Sequence, residues 1–197
     1  MNPYHLAPSE VVFKGKWIES RKTDFTAKKN GAQGTWESTH RNKPPGVHID
    51  GVSILARVKK DGKIYILLVK QYRIPVGKVC LELPAGLVDE KETIEQAALR
   101  ELHEETGYKA NRVVKVSTIC YLDPSITDDS QKIVIVDVDG DSSENKNPVQ
   151  KLDPTESIEI VLVEVSELNE YISNLDENVV VESTLLSFSM WNDFIGS

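Results

Sequence analysis

The sequence predicts an α/β fold: a strand-rich domain with one central helix and one or two late helices, preceded by a small antiparallel β element. Short apolar runs fill the middle of the chain, and the first of them alternates with polar residues. One segment, Gly86 to Tyr108, instead carries a helical period with a start signal and a stop signal. Turn chemistry separates the runs, and no internal repeat interrupts them.

The first element, residues 1–48, is β-rich. Val11-Val12-Phe13 and Trp17-Ile18 sit in strand-like runs, Asn30-Gly31 marks a hairpin turn, and Thr35-Trp36-Glu37-Ser38 begins the return. Asn42-Lys43-Pro44-Pro45-Gly46 reads as a loop and a boundary. So small a piece, carrying two tryptophans, buries little by itself and is expected to pack on something, such as a second copy of the chain.

The main domain, residues 49–197, opens with Val52, Ile54, Ala56 and Val58 alternating with residues that are polar except at Leu55, and Asp61-Gly62 turns the chain into Ile64 to Val69. Val79 to Leu83 reads as a strand and Pro84-Ala85-Gly86 as a turn into the central helix. Beyond it, Val113 to Tyr121, Ile133 to Val138 and Ile158 to Val165 read as strands, and Glu167 to Leu175 and Val181 to Ile195 as helices. Asp139 to Thr155 is polar, turn-rich and without period, and loops of that length are usually functional or disordered.

The central helix starts at Thr93, which forms a capping box with Gln96, and stops at Gly107 in a left-handed turn. At about 100° per residue, Ile94, Ala98 and Leu102 define its apolar face. Glu101 and Glu105, one turn apart, fall on or beside that face, with His103 on the far side facing solvent. Two carboxylates turned toward a protein body repel each other and lose hydration, so a cation is expected to compensate them. A hard divalent ion with oxygen ligands fits best, Mg²⁺ above all. Glu104 and Glu92 lie close enough to assist, and Arg100 can pin the carboxylates from the side. The competing reading is an exposed acidic helix with intrahelical ion pairs.

Gly86, five residues, Glu92, seven residues, Arg100-Glu101-Leu102, one residue, Glu104-Glu105, one residue and Gly107-Tyr108 together resemble the complete Nudix box, with every fixed position filled. The resemblance implies a Nudix α/β/α sandwich with a mixed sheet, and an enzyme that uses Mg²⁺ (with Mn²⁺ as a substitute) and water to cleave a nucleoside-linked diphosphate. It places the metal on Glu101 and Glu105 with Glu104 alongside, and adds the carbonyl of Ala85. Outside the box, roughly residues 13–195 resemble the eukaryotic ADP-ribose and ADP-sugar diphosphatases, more loosely after Val165. Pro124, sixteen residues past Tyr108, Gly15-Lys16-Trp17, Thr35-Trp36-Glu37-Ser38, Lys70-Gln71-Tyr72-Arg73 and Glu156 carry that likeness.

Each of these residues has a second reading. Trp17 and Trp36 either sandwich an adenine ring, with Glu37 on the adenine edge, or anchor the small N-terminal sheet. In the family the two clasping tryptophans come from different subunits, which implies a domain-swapped homodimer. Arg73 and Arg41 suit phosphate contacts, although Arg41 equally fits a solvated strand-end charge. Asp123 either contacts the second ribose or forms the turn before Pro124. Glu156 either closes on bound substrate as a base or water orienter, or is a solvated charge, with Glu159 the alternative if the alignment slips.

Composition sets the outer limits. The 197 residues suffice for one such domain plus a small element. A net charge of −8 without a basic stripe argues against nucleic acid, and it makes an anionic nucleotide-sugar hard to attract without bound cations. Cys80 and Cys120 are expected as buried free thiols. The N-terminus lacks the pattern of a signal peptide, and no apolar run approaches the ~20 residues of a membrane span. The expected location is cytoplasmic, with nucleus and mitochondrion left open. The histidines show no metal spacing, and no Walker A, G-x-S-x-G or HExxH motif is present.

Overall fold

In a computed structural model the described residues are 1–43 and 46–196, so Pro44 and Pro45 of the expected boundary loop lie outside them. The chain forms two compact units. One comprises Gly51–Thr118 and Lys132–Ser197, the other Met1–Asp50 and Ile119–Gln131.

The larger unit is built on β5 (Gly51–Lys60) and β6 (Lys63–Arg73). Their two-residue link, Asp61-Gly62, has φ of 49° and 78°, and this pair of left-handed residues matches the twist of the strands it joins. β6 is long enough to pair β5 through Lys63–Leu67 and β7 (Lys78–Glu82) through Val69–Arg73. Its other edge carries β12 (Ile158–Glu164). β11 (Ser130–Asp139) neighbours β5 and pairs β9 (Arg112–Val116), whereas β13 (Val179–Val181) pairs β7 in parallel, which makes the sheet mixed.

Alternation along the strands divides this sheet between two cores. Val52, Ile54, Ala56 and Val58 of β5 and Leu67 of β6 pack with Ala97, Ala98 and Leu102 of α1 (Ile94–Thr106). Leu55, Ile66 and Leu68, of opposite parity, pack with Leu168 of α2 (Leu168–Ser173) and Leu185 of α3 (Ser183–Gly196). One helix covers one face and two cover the other, which is the expected α/β/α sandwich. Leu102 is fully buried, and a residue so placed stabilises the fold by about 2–5 kcal/mol relative to alanine.

The smaller unit holds an antiparallel sheet of β1 (Tyr4–Leu6), β2 (Glu10–Lys14), β3 (Ile18–Ala27) and β4 (Gln33–Arg41), in which β3 pairs the other three. The Asn30-Gly31 turn joins β3 to β4, with Gly31 at φ 70°. β2 is exposed along its whole length, as a sheet too thin to cover its own apolar residues must leave it. Residues 119–131 complete this unit. They contain β10 (Cys120–Tyr121), which pairs the first residues of β11, and a loop whose Thr127 bridges to Thr39.

Several local expectations are corrected. Ala85–Leu87 is a short strand, β8, because β5 offers it an edge at Gly51–Ser53. The run Val113 to Tyr121 is split into β9 and β10, and a strand precedes α3 where helix was expected from Val181. His103 is half-buried rather than facing solvent. The two cysteines are free thiols, as expected, with Cys80 buried and Cys120 partly so.

Candidate active site

The site is assembled around α1, and both of its ends follow from local chemistry. Thr93 Oγ1 accepts from Gln96 N at 3.2 Å while Gln96 Oε1 accepts from Thr93 N at 2.8 Å. Gly107, at φ 74°, closes the last turn by donating to His103 O at 2.8 Å. Between the caps the 3.6-residue period turns Glu101 and Glu105 inward. Glu105 is 5% exposed, and the Glu101 side chain 13%.

β8 is the wall they face. Ala85 N donates to Glu105 Oε2 at 3.0 Å. The Glu101 carboxyl lies so close over Gly86 that a Cβ there would overlap it, which is a steric reason for glycine at that position. Arg100 gathers the remaining acids. Its Nε and Nη2 fork onto Glu92 at 2.9 and 2.8 Å, and its Nη1 reaches Glu101 at 2.8 Å and Glu104 at 3.0 Å. Its Nη2 also donates to the Leu87 carbonyl at 3.0 Å. One guanidinium therefore serves three carboxylates and strand β8.

Glu105 lies beyond that fork. Burial pushes its carboxyl up to about 8, the negative charges of Glu101 and Glu156 push the same way, and the Ala85 N–H and Arg73 oppose them. Burial also raises Glu101 against the pull of Arg100, with Glu104 and Glu156 adding repulsion. Glu92 goes the other way, held low by its hydrogen bonds from Arg100. A carboxyl that burial and neighbouring negative charges hold above its ordinary range is one whose charge a bound cation could compensate. The acidic side chains on this face, Glu101, Glu104 and Glu105, offer only oxygens, the chemistry that would suit Mg²⁺ or Mn²⁺, and the contact that Ala85 makes with them is through its N–H. Among the described residues no three His, Cys, Asp or Glu side chains form a ready-made cage. Arg100 holds the Glu101 and Glu104 oxygens that such a cage would use.

Glu156 ends the loop that follows β11, and its charge bears on both Glu101 and Glu105. Its own Oε2 accepts from Asp153 N at 2.9 Å, and its N–H returns a bond to the Asp153 carbonyl. Glu159 instead points at Lys70, 3.5 Å away. Arg73 forks onto the buried Glu82 at 2.8 and 2.6 Å while its side chain stays 42% exposed.

The other expected residues belong to the smaller unit. Trp17 and Trp36 are 65% and 50% exposed, large apolar rings left in solvent. Trp36 Nε1 donates to the Ser125 carbonyl at 2.9 Å, so the ring is oriented by the 119–131 segment, and Phe25 lies tilted against it with ring centroids 6.3 Å apart. The β3–β4 register sets Trp36 opposite Thr23 while Trp17 precedes Ile18, a separation of roughly 20 Å along the strand direction. Glu37 is exposed on β4. Arg41 forks onto Asp129 at 3.3 and 2.9 Å. Asp123 Oδ1 accepts from Ser125 N at 3.2 Å and Ser125 Oγ at 2.5 Å, an Asx turn. The carboxylate partners of Arg41 and Arg73 were missed by sequence reasoning, because only strand register brings Glu82 and Asp129 to them.

Residues 47–182 match the NUDIX domain family. A Caenorhabditis elegans protein that carries a nudix hydrolase name is 60% identical over 98% of this chain and 86% of its own length. The ADP-ribose pyrophosphatase of Saccharomyces cerevisiae is 42% identical over 82% of this chain and 70% of its own. The ADP-sugar pyrophosphatase of Mus musculus is 32% identical over 94% and 86%. A solved ADP compounds hydrolase superposes with a TM-score of 0.70 over 100% of this chain and 97% of that one, at 19% identity, a likeness of fold.

Proposed function

This chain belongs to the Nudix hydrolase family, and from that premise we propose that it hydrolyses ADP-ribose, and other ADP-sugars, at the diphosphate to give AMP and a sugar phosphate. Family membership itself implies a hydrolase of nucleoside-diphosphate-linked substrates that depends on a divalent cation. The observation that carries the reading is the inward-turned Glu101–Glu105 pair, Glu105 buried and Glu101 partly so, in which burial raises both carboxyls. For the adenosine-linked substrate the support is the names of the yeast and mouse relatives, the Pro124 position and the two exposed indoles.

In this reading Glu101, Glu104, Glu105 and the Ala85 carbonyl hold Mg²⁺, or Mn²⁺ in its place. When bound, the ion supplies positive charge against the diphosphate and against the charge that develops as water attacks. Arg100 keeps Glu101 and Glu104 in register. Glu156 takes the proton of the attacking water as its oxygen joins one phosphorus and the bridging P–O bond breaks. No covalent intermediate is needed. Arg73 and Arg41 use their remaining N–H groups on phosphoryl oxygens, and Asp123 meets the second ribose. Trp17 and Trp36 stack the adenine, with Glu37 at its edge. Their separation along one chain supports the swapped homodimer, in which each base is held by indoles of two subunits.

The test is hydrolysis of ADP-ribose, ADP-glucose, 8-oxo-dGDP and a diadenosine polyphosphate with Mg²⁺, for the wild type, Glu105→Gln and Trp36→Ala. ADP-ribose should lead, Glu105→Gln should lower kcat by roughly a thousandfold, and Trp36→Ala should act mainly on KM. Another substrate in the lead, with Trp36→Ala silent, would replace the adenine clamp with a different specificity. Tight binding without turnover of any compound would make the protein a sensor.

A further inference from the structure

Segment 140–157, between β11 and β12, contains no strand or helix, yet it is tied down at several points. Helix α1 ends with carbonyls that have no partner inside the helix, those of Glu104 and Glu105 among them. The segment supplies both partners. Lys151 N donates to Glu104 O at 2.8 Å, and Gln150 Nε2 donates to Glu105 O at 2.7 Å. The same Nε2 donates to the carbonyl of Ile158 at 3.0 Å, two residues beyond Glu156. An amide nitrogen has two hydrogens, and here both are used. Upstream, the buried Asn145 pairs with both the N–H and the carbonyl of Lys109 and reaches the Asp139 carbonyl at 2.8 Å. The backbone at Pro148 and Val149 lies so close to Gly107 that a Cβ there would overlap it.

Resting on the function proposed above, we propose that Gln150 is a positioning residue that sets where Glu156 stands relative to Glu105. Glu105 and Glu156 sit on different segments and repel each other, so their spacing needs a link that does not depend on their charges. The Gln150 amide is that link, since it joins the backbone of Glu105 to the backbone just past Glu156. The end of the segment that bears Glu156 is then anchored to the last turn of α1 through Gln150. Asn145 secures the first half of the segment and Gln150 the half that bears the carboxylate.

The experiment uses the full chain with Mg²⁺ and ADP-ribose and compares Gln150→Met, Gln150→Asn, Glu156→Gln and the Gln150→Met/Glu156→Gln double variant. Methionine keeps the length without donors, and asparagine keeps the amide one methylene short. Gln150→Met should lower kcat about 10- to 100-fold with KM within about threefold, and Gln150→Asn should fall between it and wild type. In the Glu156→Gln background the methionine substitution should cost less than about twofold more, because the two residues act as one unit. Amide hydrogen exchange should speed up at Lys151 and across 153–157 while β5 and β6 stay protected. An unchanged kcat, a double variant showing the full product of both single losses, or unaltered exchange overturns the proposal. If the wild type hydrolyses none of the ADP-sugars, the functional reading fails instead, and hydrogen exchange alone then upholds or overturns the link.

Discussion

Asp50 and Glu105 are removed from water to nearly the same degree, 4% and 5% exposed, yet the protein treats them in opposite ways. Asp50, in the smaller unit, receives Lys43 at 2.8 Å, the Ser130 hydroxyl at 2.7 Å and the Ser130 N–H at 2.9 Å. Burial works against its ionisation, but these partners outweigh it and hold the carboxyl below the usual range. Arg41 Nε stands 4.0 Å from its other oxygen, which has no hydrogen bond. Glu105 receives one backbone N–H, faces Glu101 and Glu156, and is pushed far up. A carboxylate the chain neutralises for itself is a structural part. One that is left raised among like charges, as Glu105 is, has its countercharge supplied in the function proposed above by a bound cation.

Removal of one charged partner on each side sharpens the contrast. Arg100→Leu strips the counter-charge from Glu92, Glu101 and Glu104 and should cost about 3 kcal/mol in urea unfolding without metal, with much of the loss recovered in millimolar Mg²⁺. Asp50→Asn leaves Lys43 beside a neutral amide. It should cost about 2 kcal/mol, toward the low end because the lysine keeps some solvent, and Mg²⁺ should restore none of it. Equal recovery by Mg²⁺ in both variants would erase the distinction.

The two carboxylates also predict opposite pH slopes in thermal melts run with a chelator. Glu105 has its folded value raised from 4.5 to about 8, so its contribution is complete below about pH 4.5 and is lost as pH rises through about 8. Glu105→Gln should flatten that alkaline slope. Asp50 is held below 3.8, so its contribution is present above that value and is lost as pH falls through the folded one, a slope that Asp50→Asn should remove. The smallest effect is Thr93→Ala, which opens the capping box and should cost about 1 kcal/mol regardless of metal or pH.

What was legible in the sequence is what neighbours along the chain decide. The Thr93–Gln96 box, the Gly107 stop and the Asp61-Gly62 hairpin need only a few consecutive residues, and the inward turn of Glu101 and Glu105 follows from helical period alone. The parallel pairing of β13 with β7 depends on a partner about a hundred residues away, and no local pattern announces it. The forks of Arg41 onto Asp129 and Arg73 onto Glu82 depend on register in the same way. The Gln150 and Asn145 anchors were illegible for another reason: in a polar loop an amide that holds structure looks like one that merely meets water.

The smaller unit is discontinuous, and this bears on its synthesis. Its strands β1 to β4 are complete by residue 41, and they can pair as soon as they emerge. The bonds that finish it come from Ser125, Asp129 and Ser130, which the ribosome reaches roughly 80 residues later. At about 5–20 residues per second that is a wait of roughly 4 to 16 s, during which Asp50 has Lys43 but not the Ser130 hydroxyl and Trp36 has no carbonyl to orient it. A nascent chain paused in that interval would present the edge of β4 without its bridge from Thr127, the state in which a chaperone or a second nascent copy would meet it first.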